Sequence, residues 1–306
     1  MITPEKLRKG DTIAIVGPAG KIDRSKIRIA KNKLQSWGLN VVEGNHLFDN
    51  EFQYAANDEK RLQDFQMMLD DPKIKAILCA RGGYGTVRII DRIDFTGFRK
   101  NPKWIIGFSD ITVIHSHIQL NLATETIHGC MAGGFDLRKN DRQSSETLKK
   151  ALFDEMLTYK INHQYLSRKG VCQGELTGGN LTILCSLIGS ASDVDTDGKV
   201  LFIEEIGEHH YRIDRMMQTL RRAGKLSQIA GLIVGGLTEI PDKAVHFGKT
   251  AFELVDEVIQ NYNFPVCYGF PSGHLKDNRA LILGRKVKLS IGHDTCLDFF
   301  PVDESA

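Results

Sequence analysis

Strand-like and helix-like segments alternate along the first half of the chain, and this alternation restricts the possible folds more than any other feature. The predicted strands are residues 13–16, 41–42, 74–80, 104–106 and 126–127. One predicted helix runs from the GPAG turn to Trp37, and two others cover residues 58–69 and 111–120. Strands separated by helices are joined by right-handed crossovers, which make their sheet parallel. We therefore expect an α/β fold whose amino-terminal domain is a doubly wound, mostly parallel sheet.

The second half of the chain has a different pattern of segments. Residues 140–172 are polar and lack a regular strand period, so we expect a helix and a linker there. Beyond them, GKVLFIEEIGE, IAGLIVGGL and RALILGRKVKLSI are strand-like, and residues 211–223 form an amphipathic helical pattern. These segments predict an amino-terminal domain over 1–150, a linker over 151–172, and a smaller α/β domain with an antiparallel closing hairpin over 173–306.

Charge and cysteine content narrow the function classes. A net charge of +2 over 306 residues argues against a nucleic-acid or anionic-membrane partner. No apolar run approaches membrane-spanning length, and the amino terminus is too polar for a signal peptide. The six cysteines are dispersed, without CxxC, as is typical of a reducing compartment. We expect a cytoplasmic protein.

Three glycine-marked loops end predicted strands, where ligands bind in parallel sheets: GPAG (17–20), RGGYG (81–85) and GFSD (107–110). GPAGK lacks the spacing of both a phosphate loop and a dinucleotide fingerprint, so we predict no nucleotide cofactor. RGGYG fits two interpretations, a tight turn or a nest of N–H groups that holds an anion.

Ser109 in GFSD also fits two interpretations. It can cap the following helix, or it can act as a nucleophile. The stretch resembles a G-x-S-x-G nucleophile elbow, except that Ile111 stands in place of the last glycine. A nucleophile needs a base and an orienting acid. His274 in FPSGH, presented by a loop, and Glu204 or Glu205 at the end of an apolar strand are the candidates.

No metal site is predicted. HExxH is absent, and His115 and His117 are two residues apart on a helix, which is the wrong spacing for binding one ion together. We expect neither a metal nor another cofactor.

Six motifs in order resemble the LD-carboxypeptidase family, the muramoyltetrapeptide carboxypeptidases. They are ARGGYG, WIIGFSDIT, IHG, GELTGGNLT, LFIEEIGEHHYRIDRM and PSGH, and the resemblance covers residues 13–289. It implies a doubly wound amino-terminal domain, a smaller carboxy-terminal domain and a site in the groove between them. Relatives of the family include peptidases that give self-immunity to microcin C-type antibiotics.

The resemblance implies Ser109 as the nucleophile, Glu204 as the catalytic glutamate and His274 as the base. The family usually has Asp as the second acid where this chain has Glu205, and we predict that Glu204 orients His274. An oxyanion also needs N–H donors. We assign these to the backbone of Asp110 and of Gly83, with Gly82 as the alternative to Gly83.

The resulting hypothesis is a serine carboxypeptidase that releases terminal D-Ala from an L,D-linked muropeptide. Arg81 is either a surface residue or a bidentate partner of the substrate's terminal carboxylate. Two alternatives stay open, a microcin-type conjugate as substrate and a silent peptide-binding protein. The sequence leaves undetermined the third residue of the peptide (diaminopimelate or lysine), the tolerance for other D-amino acids, and whether the protein forms a homodimer.

Overall fold

Six strands form the first sheet of the computed structural model, which describes residues 1–135, 142–153, 155–162, 164–242 and 245–301. They are β1 (Thr12–Val16), β2 (Asn40–Glu43), β3 (Ile74–Cys79), β4 (Trp104–Gly107), β5 (Thr126–His128) and β11 (Leu281–Leu283). Their order is β11-β5-β4-β3-β1-β2, and every neighbouring pair is parallel except β11 with β5. The predicted doubly wound, mostly parallel sheet is confirmed.

Helices cover both faces of this sheet. They are α1 (Arg24–Ser36), α2 (Asp58–Asp70), α3 (Thr96–Lys100), α4 (Thr112–Leu122) and α5 (Arg142–Leu152). On α1, Ile27 and Leu34 lie seven positions apart and so share one face, which enters one apolar core. On α2, Phe65 and Leu69 are four apart and enter a different core. The two helices therefore pack on opposite faces of the sheet.

Seven strands form the second sheet. They are β6 (Thr158–Asn162), β7 (Gly170–Asn180), β8 (Val200–Ile206), β9 (Gly231–Thr238), β10 (Val266–Tyr268), β12 (Lys286–Ile291) and β13 (Asp294–Phe299). The order is β10-β9-β8-β7-β12-β13-β6, with β10 to β7 parallel and the rest antiparallel. Its helices are α6 (Leu181–Leu187), α7 (His210–Arg222) and α8 (Ala251–Ile259). The expected closing hairpin is β12 with β13.

Two strands differ from the sequence expectation. Strand β6 lies inside the stretch predicted as a linker; its polar sequence hides it because Tyr159 is its only fully buried residue. Strand β11 comes from the carboxy-terminal half but completes the first sheet. The insertion of β11 into the first sheet depends on contacts between residues far apart in the sequence, and a local sequence pattern does not reveal such contacts. The division of the chain at 151–172 stays a prediction.

The two sheets are packed together, which fixes the groove between them. Ile106 of β4 and Phe202 of β8 belong to one continuous apolar core. Helix α4 is tied to β7, because Gln119 Nε2 donates to the Leu176 carbonyl at 3.1 Å and Thr177 Oγ1 donates to Gln119 Oε1 at 3.0 Å. Within the described ranges, no helix combines the length and the apolar character needed to cross a membrane.

Candidate active site

The three glycine-marked loops meet at one edge of the first sheet. Strands β1, β3 and β4 are adjacent and parallel, so their carboxyl ends, which carry the GPAG, RGGYG and GFSD loops, lie side by side. The backbone N–H of Gly20 donates to the Gly82 carbonyl at 3.0 Å, which joins the first two loops directly. This edge is where ligands bind in open parallel sheets.

Ser109 stands on strained backbone at the end of β4. Its φ of 63° is in the left-handed region, which non-glycine residues rarely adopt. It begins a short 3-10 turn (Ser109–Ile111) that leads into α4, and the N-cap position of that turn belongs to Phe108. Ser109 is therefore not the helix cap that one interpretation of the sequence allowed. The sharp strand-to-helix turn instead presents its side chain at the sheet edge, as a nucleophile elbow does.

The RGGYG loop packs tightly against this serine. A Cβ on Gly82 would lie 2.9 Å from Ser109 Cβ and 3.1 Å from its Oγ, so only glycine fits there without movement. Asp110, the next residue along, is buried and accepts hydrogen bonds from Thr86 N at 2.9 Å and Thr86 Oγ1 at 2.8 Å. Burial raises the pKa of the Asp110 carboxyl, and the Thr86 hydrogen bonds oppose that rise. The Asp110–Thr86 contact holds the two loops in register.

Glu204 on β8 and His274 in the loop after β10 form a short hydrogen bond. His274 Nδ1 lies 2.6 Å from Glu204 Oε2, and the His274 backbone N–H donates to the same oxygen at 3.2 Å. The Glu204 side chain is fully buried, whereas 16% of the His274 side chain is exposed. Gly273 is required between them, because a Cβ there would lie 2.7 Å from Glu204 Cβ and its φ is +104°.

Glu205 points away from this pair. Successive residues of a strand face opposite sides of a sheet, so Glu204 and Glu205 cannot both reach His274. Glu205 accepts from Thr182 N at 2.7 Å and from Asn180 Nδ2 at 2.9 Å, at the amino end of α6. Of the two acids, the structure brings Glu204 to the imidazole.

Ser109 and His274 line one cavity of about 730 Å³ between the two sheets. Arg81, Gly82 and Gly83 line the same cavity, and Arg81 is exposed with its Nη1 donating to the Lys21 carbonyl at 3.1 Å. In the part of the chain that the structure describes, no hydrogen bond joins the Ser109 hydroxyl to the His274 ring. Among these residues there is also no group of three or more His, Cys, Asp or Glu side chains placed to hold a metal ion.

His128 lies behind the cavity rather than in its wall. It is fully buried, with its ring packed against Phe108 and Phe202 at centroid distances of 5.7 and 4.9 Å. Phe108 in turn packs edge-on against the His274 ring at 4.8 Å. Burial lowers the pKa of His128 well below its ordinary value, so its ring is neutral. It supports Phe108, which positions the His274 ring.

Sequence reasoning missed part of the cavity wall. Lys21, Asp23 and Lys26, just after the GPAG loop, line it together with Ile206 and Met131. The GPAG loop lacks the spacing of a nucleotide site. Its position at the end of a strand next to β3 was a signal that its flank faces the same site.

Family profiles and a curated relative place the chain in the same family. A profile described as the LD-carboxypeptidase N-terminal domain matches residues 13–129, and one described as the LD-carboxypeptidase C-terminal domain matches residues 173–289. The chain is 36% identical to a probable murein peptide carboxypeptidase of Bacillus subtilis (strain 168), over 99% of this chain and 96% of that protein.

Solved structures agree with the fold. The muramoyltetrapeptide carboxypeptidase from Oxalobacter formigenes is 27% identical and superposes with a TM-score of 0.86, covering 95% of this chain and 100% of that one. Microcin C7 self immunity protein MccF, in complex with aspartyl sulfamoyl adenosine, superposes with a TM-score of 0.88 over 98% of this chain and 99% of its own. MccF is 22% identical, and at that level the likeness concerns the fold alone.

Proposed function

Because the chain belongs to the LD-carboxypeptidase family, we propose that it is a serine carboxypeptidase that removes the terminal D-Ala from the tetrapeptide of murein fragments. One observation carries the proposal: a strained, cavity-facing serine on the first sheet shares its cavity with an imidazole that a buried carboxylate of the second sheet holds. These are the components of a serine–histidine–acid triad.

Ser109 is the proposed nucleophile. Its Oγ attacks the scissile carbonyl carbon while His274 takes the hydroxyl proton on Nε2, the ring nitrogen that does not face Glu204. When the C–N bond breaks, His274 returns the proton to the leaving amine of D-Ala. A water molecule, activated by the same base, then hydrolyses the acyl-enzyme. Glu204 fixes the tautomer of the ring and stabilises the imidazolium between these steps.

The proposed oxyanion donors are the backbone N–H groups of Asp110 and Gly83. Asp110 directly follows the nucleophile and stands in the first turn leading to a helix, where N–H groups are free to bind an anion. The carbonyl of Gly82 points to Gly20 of the β1 loop. Because the C=O and N–H of a trans peptide point in opposite directions, the Gly83 N–H faces away from β1, which is the side of Ser109 on β4. This geometry supports Gly83 over Gly82.

Arg81 is the proposed partner of the substrate's terminal carboxylate. It is exposed in the cavity wall on the loop next to Ser109, and its single hydrogen bond to the Lys21 carbonyl leaves most of its donors available. No observation on this chain favours a microcin-type substrate. We also propose a cytoplasmic role in cell-wall recycling, which the thiols of Cys79, Cys172, Cys185, Cys267 and Cys296, none in a disulfide, support.

Purified protein incubated with defined muropeptides tests the proposal. We expect the tetrapeptide to yield a tripeptide and free D-Ala. The pentapeptide that ends in D-Ala-D-Ala should react poorly, because its carboxylate lies one residue too far from Ser109 and the reacting carbonyl is misplaced. Mass analysis of the products and kcat/KM for both peptides measure this. Equal values on the two peptides would contradict the L,D-specific assignment.

A further inference from the structure

Arg61 on α2 carries a buried charge that the proposed mechanism does not use. Its side chain is fully buried and lies outside the cavity wall. Its Nε donates to the Ala56 carbonyl at 3.1 Å, and its Nη1 donates to the Gly85 carbonyl at 3.0 Å and to the Pro18 carbonyl. Its Nη2 donates to the Asp58 carboxylate. These contacts occupy four of the five N–H groups of a guanidinium, and three of the four acceptors are backbone carbonyls of loops.

Burying a guanidinium costs free energy unless its donors are paired. An apolar side chain would pack α2 without that cost, as Phe65 and Leu69 do on the same helix. A guanidinium differs from an apolar side chain because its donors form a rigid planar fork. Arg61 therefore fixes three loops relative to one another: the GPAG loop, the segment before α2 and the RGGYG loop.

The RGGYG loop carries the proposed oxyanion donor, the Gly83 N–H, and depends on its neighbours for its conformation. Gly83 and Gly85 have φ values of +108° and +142°, and glycine by itself leaves the backbone free to adopt many other conformations. On one side of the donor, the Gly82 carbonyl accepts from the Gly20 N–H at 3.0 Å. On the other side, the Gly85 carbonyl accepts from Arg61. The peptide group that carries the donor thus lies between two fixed points.

Both fixed points depend on Arg61, since Gly20 belongs to the GPAG loop and Arg61 also binds the Pro18 carbonyl of that loop. We propose that Arg61 is a positioning residue, which holds the Gly83 N–H at the place where the oxyanion forms after attack by Ser109. This inference rests on the proposed function. Because Arg61 is buried outside the cavity wall, it acts through the two glycine loops and not on the substrate.

Arg61→Lys and Arg61→Met test the inference on the intact protein. A lysine ammonium keeps the charge beside Asp58 but lacks the planar fork that holds both loops. We expect Arg61→Lys to lower kcat on the tetrapeptide about 10²-fold and to change KM no more than a few-fold, because a misplaced donor weakens binding of the transition state alone. Arg61→Met should lose at least as much.

A peptide aldehyde separates this role from general support of the fold. In this probe an aldehyde replaces the scissile amide, so that the Ser109 hydroxyl adds to it and forms a hemiacetal whose oxygen lies where the oxyanion forms. Its inhibition constant should rise about as much as kcat falls, whereas binding of the uncleaved tetrapeptide, measured by calorimetry in the Ser109→Ala background, should change no more than a few-fold. Loss of folded protein would lower kcat and leave the inhibition constant unchanged.

Gly85→Ala keeps the test open if neither Arg61 variant folds. A Cβ on Gly85 would lie 2.6 Å from Arg61 Nη1, so it separates the guanidinium from the RGGYG loop and leaves Arg61 in the chain. This variant should also raise the inhibition constant of the aldehyde.

Arg88→Met is the matched control. Arg88 Nε donates to the two Asp58 oxygens at 3.0 and 2.8 Å, so this variant also removes a guanidinium from Asp58, but an exposed one whose contact ends on a side chain. It should leave kcat and the aldehyde inhibition constant within about twofold of wild type.

Unchanged inhibition by the aldehyde in the Arg61 variants that fold, or in Gly85→Ala if neither does, would overturn this inference and leave the carboxypeptidase assignment standing. Failure of the wild-type protein to cleave the tetrapeptide would instead overturn the proposed function, and this inference with it.

Discussion

At the scale of single residues, the conformation of Ser109 is the most informative feature of the site. A left-handed φ on a non-glycine residue costs free energy that the surrounding packing must offset, and such strain is concentrated at functional sites. The neighbours of Ser109 meet that condition, because Gly82 leaves room for its side chain and Asp110 anchors the turn to Thr86.

We expect Ser109→Ala and His274→Ala each to abolish turnover while the fold stays intact. The two groups act as one unit, so losing either should lower kcat on the order of 10⁶-fold. Kinetics of D-Ala release measure the loss, and circular dichroism controls for folding. If either variant kept a tenth of wild-type activity, the triad assignment would be wrong.

Glu204→Gln and Glu205→Gln form a matched pair that tests the acid assignment. Glu204→Gln removes the negative charge that holds His274 Nδ1–H and should lower kcat on the order of 10⁴-fold. Glu205→Gln alters contacts at the start of α6 and should leave kcat within a few-fold, with some loss of stability. A larger kcat loss in Glu205→Gln than in Glu204→Gln would reverse the assignment.

At the scale of elements, the exchanged strand β11 connects the two sheets. After β11 the chain turns at Gly284 and Arg285 and enters β12 of the second sheet. Arg285 makes a bidentate ion pair with Glu125, the residue just before β5, with distances of 2.9 and 2.7 Å, and both side chains are buried. This ion pair holds the crossing point.

Arg285→Met should lower the free energy of unfolding by about 3–5 kcal/mol, because it leaves the buried Glu125 carboxylate without its partner. The double variant Glu125→Leu/Arg285→Met should recover most of that loss, since no unpaired buried charge remains. Urea unfolding of the wild-type protein, of the single variants Glu125→Leu and Arg285→Met, and of the double variant measures the effect. A double variant that is as unstable as the sum of both single variants would show that the pairing itself contributes nothing.

At the scale of the whole molecule, buried histidines make stability depend on pH. Burial lowers the pKa of His115 from its ordinary 6.5 to about 4, and that of His128 well below its ordinary value. As the pH falls from about 6.5 to about 4, the unfolded chain takes up protons that the folded protein does not, so the free energy of unfolding decreases. For His115 alone the loss is on the order of 3 kcal/mol.

Buried carboxyl groups have the opposite effect on the free energy of unfolding as the pH falls. Burial raises the pKa of Asp64, Asp110 and Glu205, so their protonation is favoured in the folded state. A variant therefore isolates the histidine contribution. In His128→Phe, an aromatic ring stays between Phe108 and Phe202, and unfolding in urea at about pH 7 and about pH 5 should differ less than in the wild-type protein. An unchanged difference would contradict the role of His128.

The sequence by itself determined the layered architecture and the identity of the chemical groups. The spacing of apolar residues and the positions of turn residues are local properties of the sequence. The strands from β1 to β5, the helices α1 and α2 and the loops that carry the glycine motifs were therefore predictable. The motif order also pointed to Ser109, Glu204 and His274 before any distance was known.

Only the tertiary structure decided which groups meet. It brought the Glu204 carboxylate to His274 Nδ1, buried His128, placed β11 in the first sheet and put Lys21, Asp23 and Lys26 in the cavity wall. Each of these outcomes depends on side-chain direction or on contacts between segments far apart in sequence. Such contacts form because burial of the shared core between the two sheets is favourable, and a local pattern carries no record of which distant surfaces that burial brings together.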